Sequence, residues 1–127
     1  MRELVAVLVG GAIGTALRLA IDTAVPHGDS EFPVSTLVIN TVGALALGIL
    51  VARLWPRASA WLRAGLGAGL LGSFTTFSAV TVSLVALSSA GEWMLAAGYL
   101  VATLALGWGA AALGLSLGRP SAPEASE

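Results

Sequence analysis

Between Ala64 and Ala90 the chain carries no charged residue. Yet the centre of that run, Gly65-Leu-Gly-Ala-Gly-Leu-Leu-Gly-Ser-Phe-Thr-Thr-Phe-Ser-Ala79, is dense in glycine and hydroxyl side chains. An uninterrupted helix over the run would reach about 40 Å, against a hydrocarbon thickness of about 30 Å. Tilt or an unwound segment has to absorb the excess. Gly72-Ser73 followed by Thr75-Thr76 is the expected place for a break, because glycine loosens the backbone and hydroxyls compete for its hydrogen bonds. Non-helical backbone at membrane depth persists only when buried in protein or lining a wet cavity. Interrupted membrane helices of that kind commonly hold ions.

Composition narrows the class further. Of 127 residues, 57% are hydrophobic and 10% charged, far below the quarter expected of a soluble domain. Six arginines against seven acids leave a net charge of -1, which gives no support for nucleic-acid binding. With no cysteine, disulfides, thiolate metal sites and thiol nucleophiles are excluded. The single His27 sits between Pro26 and Gly28 and reads as a solvated loop side chain. No nucleophile–base pair, carboxylate pair or metal-ligand cluster stands out, so the chain does not read as an enzyme.

A window of about 20 residues finds four apolar segments: 4–25, 34–52, 64–90 and 93–117. They make residues 1–118 one four-helix transmembrane unit, followed by a polar tail, 119–127, whose Pro, Ala and Ser content predicts disorder. The first segment outlasts the short core of a signal peptide and reads as retained. Trp55, Trp61 and Trp93 fall at expected membrane interfaces. Arg2, Arg53, Arg57, Arg63 and Arg119 lie on the side shared by the termini and the middle loop; Asp29, Glu31 and Glu92 lie on the other. The positive-inside rule places both termini in the cytoplasm of a multi-pass protein of the inner (plasma) membrane, with one fixed orientation.

Polar residues within the spans are the candidate functional groups. Asn40 needs partners at membrane depth, so it faces other helices or water. Thr36 one turn before it and Gly43 one turn after extend a polar, small-residue stripe along one face. Past the expected break come Ser78, Thr81 and Ser88, and the fourth segment carries Tyr99, Thr103, Gly107 and Gly114 close to one face. Close helix packing accounts for the glycines. It does not account for a tyrosine, an asparagine and several hydroxyls on neighbouring elements. Such a lining offers O–H and N–H donors and the positive edges of aromatic rings, a setting in which a small anion can shed water and still leave. Backbone carbonyls at the break suit a hard cation instead. Arg18, one turn from Asp22, is either an ion-pair partner or a snorkelling anchor.

Three motifs together carry a resemblance. Gly10-Gly-Ala-Ile-Gly-Thr-Ala-Leu-Arg18, Thr36-Leu-Val-Ile-Asn-Thr-Val-Gly43 and Gly72-Ser-Phe-Thr-Thr-Phe-Ser78 appear in the order of the signature motifs of the small bacterial fluoride channels, the Fluc or CrcB family, which the chain resembles over all but its tail. The resemblance implies an all-α membrane protein whose third helix is broken mid-membrane, assembled as an antiparallel, dual-topology-type dimer with two fluoride pores. It implies a structural sodium ion, not transported, held at the dimer centre by the backbone carbonyls of Gly72 and Thr75. It maps the ion pathway onto Asn40, Thr76, Phe77, Ser78, Tyr99 and Thr103. The implied role is passive export of cytoplasmic fluoride, which relieves fluoride toxicity.

One position departs from the family. Its signature carries a second pore phenylalanine where this chain has Val80, which offers no ring edge. The arginine bias points the same way, because an antiparallel homodimer needs a subunit that inserts both ways. A homologous second subunit of opposite orientation, supplying the missing aromatic, is therefore the expected partner. Two rivals remain. A four-helix proton-coupled multidrug exporter needs an acid deep in the membrane, and no segment carries one at its middle. A non-conducting structural partner subunit fits the lost phenylalanine.

Overall fold

The computed structural model describes residues 1–119; the tail expected to be disordered lies, beyond Arg119, outside the described residues. Four helical spans, each long and apolar enough to cross a membrane, make up the chain: Arg2–Ala24, Val34–Leu54, Ala60–Ser89 and Trp93–Gly118. The first is one helix, α1 (Arg2–Ala24). The second joins α2 (Val34–Ile49) to a π-helical turn, Leu50–Leu54. The third is composite: α3 (Ala60–Arg63), a π-helical stretch Ala64–Leu71, α4 (Gly72–Phe74) and α5 (Phe77–Ser89). The fourth is α6 (Trp93–Gly118). The chain is a multi-pass membrane protein.

The third span starts four residues earlier than the charge-free run, because Arg63 sits inside its first helical turn. Arginine there is tolerated at a span's end, where its long side chain reaches the interface. Neither π-helical stretch is legible in the hydropathy pattern, which registers apolarity and not hydrogen-bond register.

Glycine decides which spans touch. A Cβ at Gly10 would collide with the Gly65 carbonyl oxygen, and one at Gly14 with that of Leu70. Backbone therefore meets backbone where α1 packs along Ala60–Phe74. A second such seam joins α2 to α6: a Cβ at Gly114 would collide with the Leu45 carbonyl, and one at Gly118 would lie 2.7 Å from Ala52 Cβ. Association of helices in lipid relies on such close approach, since the surrounding chains are as apolar as the side chains. Gly107, read from the sequence as part of a packed face, meets open space instead.

The third span changes neighbours partway. Its first half, through Phe74, packs on α1; its second half, α5, packs on α6. The α5–α6 seam holds the buried cluster Val80, Leu87, Ala96 and Tyr99, closed over by Phe32, Leu37, Leu84 and Leu95. Phe32 meets the Tyr99 ring edge to face at 5.5 Å and 88°, the geometry aromatic quadrupoles favour. Between α5 and α6 the chain turns on Gly91 at φ 82°. The Gly91 N–H donates to the Ser88 carbonyl and the Glu92 N–H to that of Leu87, a helix stop that requires a left-handed residue.

All five arginines outside α1's interior gather at one end. Arg2 shares a groove with Trp61, and the end of α6 lies against Ile49 and Ala52 beside Arg53.

Candidate functional site

The site begins where the third span leaves helical geometry. Thr75 has φ -77° and ψ 153°, and Thr76 φ -148° and ψ 117°, so two residues of extended backbone separate α4 from α5. Three side chains stabilise this conformation. Asn40, on α2, donates from Nδ2 to the Thr76 carbonyl at 2.9 Å and accepts the Thr76 N–H on Oδ1 at 2.8 Å. This is the two-point pairing that a neighbouring β-strand would supply. Thr76 Oγ1 accepts the Ala79 N–H at 3.1 Å and so caps α5, satisfying an orphan donor of its first turn. Thr75 Oγ1 donates back to the Leu71 carbonyl at 2.8 Å. Gly43 makes room for all this, since a Cβ there would collide with the Thr75 methyl.

The diverted donors have a consequence for two carbonyls. In an unbroken helix the Thr76 N–H would bond to Gly72 O and the Ala79 N–H to Thr75 O. Here Asn40 takes the first and the Thr76 hydroxyl takes the second. Among the described residues no turn, loop or cap hydrogen bond reaches either oxygen instead. Two carbonyl oxygens and threonine hydroxyls make a hard, all-oxygen donor set. Among the described residues no group of three or more His, Cys, Asp or Glu gathers. Uncharged oxygens in that setting suit a monovalent cation better than a divalent or transition metal.

A cavity of about 880 Å³ opens beside the break. Asn40, Gly72, Thr75, Thr76, Phe77 and Thr103 all border it, as do Val80, Trp55 and Arg63 among others. Of the residues singled out in the sequence, Ser78 and Tyr99 lie off this wall. Ser78 is exposed and pairs with Thr76 Oγ1 at 3.1 Å. Tyr99 is fully buried behind the cavity, with the hydroxyls of Thr103, Ser83 and Thr36 around its own. Its hydroxyl and that of Thr103 are both buried and, among the described residues, no well-formed hydrogen bond reaches either, although three hydroxyls lie close to that of Tyr99. Buried hydroxyls without a firm partner are uncommon in protein interiors, and these can still turn toward a water or a ligand. Phe77 is the opposite extreme: its ring is 80% exposed and stands off the subunit.

Sequence reasoning missed Ser83, Trp55 and Arg63 as site residues. Ser83 is identified only by its place beside the Tyr99 hydroxyl across the α5–α6 seam, which spacing along the sequence does not reveal. Hydropathy and charge place Trp55 and Arg63 at the membrane boundary, yet the Trp55 indole packs over Gly67, and its buried N–H has no partner among the described residues. Val80 is buried at 4% exposure in the α5–α6 core and also borders the cavity.

Comparisons with known proteins agree on one family. A family model described as CrcB-like protein, Camphor Resistance (CrcB), matches residues 5–115. The chain is 38% identical over 113 residues to the fluoride-specific ion channel FluC of Paracoccus denitrificans, covering 89% of this chain and 91% of that relative. It is 39% identical over 108 residues to the fluoride-specific ion channel FluC 1 of Mycobacterium bovis, covering 84% and 82%. With the fluoride-specific ion channel FluC of Idiomarina loihiensis it shares 46% identity over 93 residues, 72% of each chain.

Proposed function

The chain belongs to the CrcB-like family, and on that premise we propose that it is one subunit of a fluoride-selective membrane channel. The observation that carries this reading is a set of hydroxyls, those of Tyr99, Thr103, Ser83 and Thr36, gathered behind and at the wall of a cavity that Asn40 and Phe77 also border. Neutral donors in a low-dielectric wall bind a small, strongly hydrated anion well enough to replace its water and weakly enough to release it. Arg63 at the cavity edge raises the local anion concentration without sitting deep enough to trap the ion. Thr76 and Ser78, joined by their hydroxyls, extend the donor path along the break.

Phe77 has no use for an exposed ring within one subunit. In an antiparallel dimer it would reach the pore beside the apposed subunit and offer its positive edge to the anion. The carbonyls of Gly72 and Thr75 would hold a structural sodium ion at the dimer centre; one subunit contributes too few oxygens for a cation's shell, so the partner subunit would complete it. When bound, that ion supplies a fixed positive charge that locks the two breaks together. Transport is passive. The neutral acid crosses the bilayer, dissociates inside, and the anion leaves through the pore, which lowers cytoplasmic fluoride. Both termini lie in the cytoplasm, and the partner is a homologous subunit of opposite orientation that contributes the aromatic which Val80 lacks.

Reconstitution in liposomes with a fluoride electrode tests the reading. Flux is expected from this chain together with its partner, with little from the purified single chain. Absence of fluoride flux in both preparations refutes the channel assignment, and robust flux from the single chain refutes the mixed dimer.

A further inference from the structure

We infer that Asn40 is a positioning residue for the cation site, acting by withdrawing the Thr76 N–H from the Gly72 carbonyl. The inference rests on the sodium reading above and adds the device that keeps the site open. Helix formation and cation binding compete for the same oxygens. A Gly72 carbonyl that accepts the Thr76 N–H has one lone pair committed and its direction set along the helix axis. Asn40 resolves this competition by offering the Thr76 backbone both a donor and an acceptor, at 2.9 and 2.8 Å, from a different helix. Because both bonds go to one residue, they also fix the planes of the peptides on either side of it, including the Thr75 carbonyl. The Thr76 hydroxyl does the same for Thr75 by capping Ala79 at 3.1 Å. Thus the two carbonyls mapped as ligands are those whose helical donors have been taken by side chains.

The Asn40 amide spends one of its two protons and one acceptor position on Thr76. An anion passing through the cavity can use the remaining proton. A role in the pore and a role in the cation site are therefore compatible, and they separate by substitution. Asn40→Leu removes the acceptor, so the Thr76 N–H returns to Gly72. Asn40→Asp keeps an acceptor in either protonation state and leaves Gly72 uncommitted, while altering what an anion meets. Thr76→Ala releases the Ala79 N–H to Thr75; Thr76→Ser retains the cap.

The experiment titrates sodium chloride against N-methylglucamine chloride at constant ionic strength, on the assembled channel complex. Thermal unfolding midpoint and ²³Na line broadening are read for each variant against its own sodium-free baseline. The loss of one diverted hydrogen bond predicts that half-saturating sodium rises at least about tenfold for Asn40→Leu and Thr76→Ala, and stays within about threefold for Asn40→Asp and Thr76→Ser. If the Asn40→Leu complex does not assemble, the Thr76 pair decides: equal sodium affinity in Thr76→Ala and Thr76→Ser overturns the inference. Unchanged affinity in an assembled Asn40→Leu complex overturns it too, with the cation reading intact. A parent complex whose stability and line width ignore sodium overturns the cation reading and this inference together.

Discussion

At the scale of single residues, the informative groups are those whose hydrogen bonding is incomplete or redirected. Tyr99 is the clearest case: its ring is fully buried against Phe32, while its hydroxyl makes no well-formed bond among the described residues. A hydroxyl that contributes no bond costs little to remove, so Tyr99→Phe is expected to change unfolding stability by less than about 1 kcal/mol. Fluoride flux is expected to fall at least about tenfold on the reading that the Tyr99 hydroxyl, behind the cavity wall, supports the donors that line it. Chemical denaturation and liposome flux on the same preparation check the split. A variant that loses stability and flux together would make Tyr99 a packing residue. Arg63 is legible only by position, and Arg63→Gln is expected to reduce flux at low salt and to matter less above about 150 mM, where its field is screened within about 8 Å.

Whole elements are governed by where backbone meets backbone. The α1 seam places Gly14 against the Leu70 carbonyl, so a side chain there forces the helices apart. Gly14→Val is expected to cost at least about 2 kcal/mol and to lower the yield of assembled protein, measured by thermal unfolding in detergent. At Gly91 the penalty is conformational: φ 82° suits glycine, and Gly91→Ala is expected to cost about 1 kcal/mol. Gly107 is the control, since a Cβ there meets open space; Gly107→Ala is expected to be neutral within about 0.5 kcal/mol. The composite third span follows the same logic. It serves α1 with one half and α6 with the other, and Asn40 of α2 sits at the changeover.

For the molecule as a whole, orientation and assembly are the properties with physical consequences. Arg2, Arg53, Arg57, Arg63 and Arg119 at one end predict that both termini are cytoplasmic. Accessibility labelling of cysteines introduced at residues 2 and 119 checks this in intact cells; labelling from outside at either position counts against a fixed orientation. Much apolar surface remains uncovered in the isolated chain, including Phe77 at 80% and Trp108 at 80% exposure. Lipid accommodates a tryptophan on α6. An aromatic ring beside a polar cavity is better covered by a second subunit.

The four spans and the family were readable from the sequence because both depend on local pattern: apolar runs bounded by arginine, and Gly, Asn and Thr at motif spacing. The candidate site residues stood out as residue types, since an apolar span rarely holds an asparagine or a tyrosine unless its polar atoms have something to meet. What residue order could not convey was which hydrogen bonds they make. Asn40 and Thr76 lie far apart in the chain, and only folding brings the amide onto that peptide. Tertiary structure alone decided that Tyr99 is buried and Phe77 exposed, that Val80 fills a core, and that Gly72 and Thr75 lose their helical donors. Hydropathy records what a side chain prefers; the pairing of backbone groups depends on what arrives opposite them.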